Sequence, residues 1–147
     1  NADVVQAWIH FHAGDFQAAY DAGLAAGGAG LPAAETAQGI YVNYLEKKER
    51  VKVEMFREIA QRAEGQQVEE PKNANAWYWQ AYALGRYGQG ISVAKALAQG
   101  LGTKVKNALE TTISLAPKHA EAHIALGAYN AEGMITGFPV TVKYGYL

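Results

Sequence analysis

The chain has 147 residues, is 50% apolar and 18% charged, and carries a formal net charge of −1. A near-neutral balance without runs of like charge argues against a nucleic-acid binder or a polybasic membrane anchor. The absence of cysteine excludes disulfides, thiol catalysis and cysteine-ligated zinc while leaving the compartment open, and no apolar run approaches the ~18 residues of a membrane span.

Asn1-Ala2 reads as an expression remnant and is set aside. Val4, Ala7, Trp8 and Phe11 then fall at i, i+3, i+4 and i+7, the stripe of an amphipathic helix. Gly14-Asp15 breaks it, with Asp15 placed to cap a second helix carrying Phe16, Ala19, Tyr20 and Leu24. Residues 4–25 are thus expected to form a helical hairpin. Gly27 to Pro32 reads as a loop, because glycine supplies positive φ and proline cannot continue a helix.

A second pair starts at Ala33, with Ala37, Ile40, Tyr41, Tyr44 and Leu45 along one side of its first helix. Glu46 to Arg50 is its solvated end or turn, and Val53, Phe56, Ile59, Ala60 and Ala63 give the partner helix. Glu64 to Glu70 is polar without periodicity and reads as a linker. Asn73 is a good N-cap for a helix from about Ala74 to Tyr87, on which Trp77, Ala81, Leu84 and Gly85 face one way and Tyr78, Tyr82 and Arg86 another. Gly88-Gln89-Gly90 interrupts the pattern, and Val105, Leu109, Thr112 and Ile113 resume it up to Pro117. Ala120 to Glu132 is helical again, whereas 133–147 mixes glycine, proline and β-branched residues and is expected to be an irregular tail.

One motif is written twice. Pro71-Lys72-Asn73-Ala74-Asn75-Ala76-Trp77 recurs as Pro117-Lys118-His119-Ala120-Glu121-Ala122-His123, with Ala81 and Gly127 in matching places. A proline-led helix start repeated along a chain marks stacked helical hairpins. Pro71 and Pro117 stand 46 residues apart, against a period of ~34, so the third unit holds an insertion. It covers about 90–103, where Ile91, Ala94, Leu97, Ala98 and Leu101 have the spacing of a short extra helix.

With Leu126-Gly127 following the second copy, and Gly14-Asp15-Phe16 with Ala19 near the start, the chain resembles a tetratricopeptide-repeat protein of atypical form. It is also similar to uncharacterised bacterial proteins of that type, through Ala83-Leu84-Gly85-Arg86-Tyr87 and the segment after it. The resemblance implies an all-α superhelix of about four helix-turn-helix units in a single domain over 3–132, with units at about 3–31, 32–70, 71–117 and 118–132. It also implies that Ala81 and Gly127 are the small residues at which paired helices touch.

No catalytic constellation stands out, so a non-enzyme without a cofactor is expected. His119 and His123 are four apart, but no third ligand is evident and His119 lies at a helix start, so no metal is assigned. His10 and His12 read as surface residues. The glycine clusters at 85–90 and 100–102 follow no predicted strand and do not spell a phosphate loop. Ser92 and Ser114 lack a histidine–acid pairing, and Glu35, Glu46, Glu110 and Glu121 read as solvated helix faces.

In tetratricopeptide proteins the first helix of each unit lines a concave groove. The resemblance carries that role to Trp8 and His12, to Asn75, Tyr78, Tyr82 and Arg86, and to Glu121 and Ile124. Tyrosine and arginine suit a groove for a protein or peptide partner, since both offer area and a hydrogen-bonding handle. Equally, Trp79 and some tyrosines could simply pack against the insertion. A self-associating module, and a small-molecule pocket against the 90–103 insertion, are the alternatives from other classes.

Overall fold

Local capping chemistry sets the helix starts in this computed structural model, which describes residues 1–136 and the side-chain surroundings of residues 1–131. Helix α1 spans Ala2–His12 and opens at Asn1, whose side chain accepts from the Asp3 amide. The N-terminal asparagine, set aside on sequence grounds, therefore takes part in the fold as a cap. Gly14 turns the chain with φ 81°. Asp15 then caps α2, Phe16–Ala26, by accepting from Ala18 N at 3.2 Å.

The segment expected to be a loop is mostly helical. A 3₁₀ turn at Gly28–Gly30 leads directly into α3, Leu31–Ile40, with Pro32 in its first turn, where a missing N–H costs nothing. Only Gly27 uses positive φ there; Gly30 has φ −84° and serves a different purpose. A Cβ on Gly23 would lie 2.7 Å from Ala34 N and 2.8 Å from Gly30 O. The glycines therefore let α2 and α3 touch backbone to backbone, which a reading based on turn propensity misses.

Helix α3 packs on both α2 and α1, and Ala33, Ala34, Glu35, Ala37, Gln38 and Gly39 are all buried. Glu35, expected on a solvated face, is fully buried because a helix of small residues covered on most sides has no wet face to offer. The expected stripe through Tyr41, Tyr44 and Leu45 also fails. Residues Tyr41–Leu45 form a π-turn, which widens the helix and rotates later side chains. Val42 is buried in their place, and Tyr44 is 74% exposed.

The chain divides into two compact units, Asn1–Lys48 and Glu49–Leu147. The second begins with α4, Glu49–Glu69, which buries Phe56, Ile59, Ala60 and Ala63. This helix continues through the presumed linker because its polar residues find partners on α5, Ala74–Gln89. Gln67 Nε2 donates to Ala76 O at 3.2 Å and to Gln80 Oε1 at 2.9 Å, and Gln80 Nε2 donates to Glu64 Oε1 at 3.0 Å. Polar side chains thus perform a packing role that hydrophobic periodicity does not register.

Asn73 caps α5, accepting from Asn75 N. The helix runs past Gly88, which is buried, and ends at Gly90. The insertion holds a short helix, α6 (Val93–Ala98), as its spacing predicts, but Ala96 is its buried residue while Leu97 is exposed. Leu101 instead opens α7, Leu101–Leu115, which buries Leu101, Val105, Ala108, Leu109 and Thr112. Helix α5 lies between α4 and α7, and α8, Ala120–Thr136, packs on α7. Side chains such as Ile59, Leu101 and Leu109, fully buried, contribute roughly 1.5–3 kcal/mol each.

The fold is all-α, with no strand among the described residues. Helix α8 carries the chain four residues into the expected irregular tail, 133–136; the rest of that tail, 137–147, lies outside the described residues. No helix among the described residues is long and apolar enough to cross a membrane. Gly127 does not do what its match to Ala81 implies. Ala81 is fully buried, whereas a Cβ on Gly127 would meet nothing within 4 Å among the described residues.

Candidate functional site

Helix α5 presents Asn75, Tyr78, Tyr82 and Arg86 at spacings of three and four, so the four lie along one face. The two tyrosine rings are 6.4 Å apart between centroids. Phe56 from α4 meets Tyr82 edge-on at 6.2 Å, and Trp79 meets it at 5.2 Å. These contacts hold Tyr82 from two sides, so the face is built on a packed aromatic base.

Arg86 closes one end. Its guanidinium carbon lies 5.7 Å from the Tyr82 ring centroid, within cation–π range. Its Nε is buried and makes no hydrogen bond among the described residues, an arrangement that costs free energy until an acceptor arrives.

The start of α8 closes the other end. His119 lies against Tyr78 at 4.8 Å between ring centroids. Its Nδ1 accepts from the Ala122 amide at 3.3 Å, capping α8, and this leaves Nε2 as the donor toward Asn75 Oδ1 at 3.3 Å. Glu121, two-thirds exposed, has an oxygen 3.4 Å from the same Nδ1.

Tyr78 therefore stands between a positive and a negative end. Burial, reinforced by the Glu121 charge and opposed by Arg86, pushes its hydroxyl up to about 12, so the group remains a neutral donor.

Of the residues assigned from sequence, Asn75, Tyr78, Tyr82, Arg86 and Glu121 come together in the second unit. Trp8 and His12 belong to the first unit, where Trp8 is 5.6 Å from Phe11 and 6.2 Å from His12, and Phe11 in turn meets Phe16. That ring cluster joins α1 to α2. Sequence reasoning missed Phe56 and His119 at the site. The signal for His119 was present, since it occupies the place of the capping Asn73 in the repeated motif. The insertion meets a different tyrosine: Gln99 Nε2 reaches the Tyr87 hydroxyl at 3.5 Å.

His119 is engaged with Ala122, Asn75 and Tyr78, and His123 locally, its Nε2 standing 2.7 Å from Pro117 O. No group of three or more histidine, cysteine, aspartate or glutamate side chains converges among the described residues. Compared with known proteins, the chain matches no family model, no curated protein and no solved structure.

Proposed function

We propose that the chain is a non-catalytic, tetratricopeptide-like scaffold that holds a peptide segment of a partner protein along the Asn75–Tyr78–Tyr82–Arg86 face. The observation that carries this reading is the pairing of an aromatic surface with two polar handles, the Tyr78 hydroxyl and a buried Arg86 Nε that has no hydrogen-bond partner among the described residues. Rigid aromatic rings supply contact area at low entropic cost, and half-buried polar groups fix the register of a bound chain. The repeated capping motif at α5 and α8 supports the repeat architecture. Binding to an arrayed peptide library should be lost in the double variant Tyr78→Ala, Arg86→Ala with helical circular dichroism retained; an unchanged binding profile would refute the assignment of this face.

Self-association is the second reading, favoured by Val5 and Ile9, one turn apart on α1 and 57% and 53% exposed. Light scattering across a concentration series tests it, and a constant monomer mass removes it.

A further inference from the structure

The two ends of the α5 face carry opposite charges. Arg86 sits at one end with an unsatisfied buried Nε. Glu121 sits at the other, beside His119, which is in turn within hydrogen-bonding distance of Asn75. The Glu121 carboxylate has no lysine or arginine partner among the described residues. Tyr78 lies against His119, the neighbour of Glu121, on one side and beside Tyr82, which carries Arg86, on the other, and both charges act on it. From Asn75 to Arg86 the face runs about 16 Å at the helical rise of ~1.5 Å per residue. A peptide in extended or polyproline form covers that distance in about five residues. The surface between the charges is aromatic, with Tyr78 and Tyr82 offering rings and Tyr78 a protonated hydroxyl. Prolines and small apolar residues stack on such rings without needing hydrogen bonds of their own.

We infer that the face takes an extended peptide bearing one acidic and one basic side chain about five positions apart, the acid on Arg86 and the base on Glu121, with proline or small apolar residues between. This rests on the peptide-binding reading above and specifies its ligand. A peptide of one sign satisfies one end of the face and is repelled at the other, so the arrangement discriminates by charge pattern as well as by shape.

The test uses four end-blocked synthetic peptides sharing a central proline–alanine stretch: one with glutamate and lysine at its two ends, one with two glutamates, one with two lysines, and one with two glutamines. Affinities are read by calorimetry at low salt. The mixed peptide should bind on the order of tenfold tighter than the glutamine peptide, an advantage that shrinks as salt is added. In Glu121→Lys the preference should move to the two-glutamate peptide, and in Arg86→Glu to the two-lysine peptide. Glu121 is exposed, so the first variant retains its fold; Arg86→Gln, which should lose the mixed-peptide advantage, is the milder companion of the second. Equal binding of all four peptides, or preferences unmoved in the variants, overturns the charge pattern while leaving peptide binding intact. Binding of none of the four overturns the peptide-binding face and the charge pattern together.

Discussion

The indole N–H of Trp77 donates to the carbonyl oxygen of Pro71 at 3.0 Å, six residues back across the turn that opens α5. At the head of α8 the same bridge recurs, with His123 Nε2 2.7 Å from Pro117 O. Since a carbonyl oxygen only accepts, Nε2 carries the proton. Two chemically different side chains therefore serve one purpose, tying a proline carbonyl to the first turn of the helix it precedes. His123→Trp should hold stability within about 1 kcal/mol, whereas His123→Phe and Trp77→Phe should each cost about 1 kcal/mol by removing the donor. Thermal unfolding followed by circular dichroism measures all three; equal melting temperatures for the tryptophan and phenylalanine variants at position 123 would contradict the bridge.

His119 supplies the N-cap of α8 through Nδ1, in the place Asn73 holds for α5. His119→Ala should destabilise by about 1 kcal/mol, as cap removal does. His119→Asn should recover most of that loss while forfeiting the ring contact with Tyr78. The variants then separate two roles: stability follows the cap, whereas tyrosine fluorescence follows the stack and should change in both.

The legible parts of the fold were those written as side-chain periodicity or capping chemistry. Asp15 and Asn73 announce helix starts, and the buried stripe of α4 through Phe56, Ile59, Ala60 and Ala63 is plain in the spacing. What escaped was contact made by something other than apolar side chains. Gln67 and Gln80 extend α4 through a polar segment by bonding across to α5, and Gly23 and Gly30 join helices through bare backbone. The π-turn at Tyr41–Leu45 changes the helical period locally, so a stripe extrapolated at 3.6 residues per turn predicts the wrong face. At the site, the α5 residues were legible from one helix's spacing. Phe56 was not, and the repeated motif places His119 at a helix start without its contact with Tyr78, because both approaches depend on how α4 and α8 lie against α5.

Glycines of the two kinds should respond oppositely to alanine. Gly23→Ala forces a Cβ to within 2.7–2.9 Å of Ala34 and Gly30, most of it backbone that cannot rotate away, and should cost about 1–3 kcal/mol. Gly127→Ala meets open space on a helix among the described residues and should add about 1 kcal/mol of stability through propensity alone. Chemical denaturation reads both. A destabilised Gly127→Ala would mean that a neighbour approaches that face closely after all.

Tyr78 makes stability depend on alkaline pH. Its hydroxyl ionises at about 12 in the folded chain, against about 10 in an unfolded one. Between those values the unfolded chain has released the proton and the folded chain has kept it, so the unfolded state binds fewer protons and stability falls as pH rises. The contribution is complete below the unfolded value and is lost as pH climbs through the folded one. Denaturant unfolding at a series of alkaline pH values should show this decline, and Tyr78→Phe, which keeps the ring but has no proton to lose, should flatten it. Phenolate absorbance gives an independent reading: the variant should lack one late-titrating tyrosine while the earlier ones stay unchanged. If the tyrosine missing from the variant titrates with the early ones, and the alkaline decline in stability is unchanged, Tyr78 does not have the buried surroundings that raise its pKa.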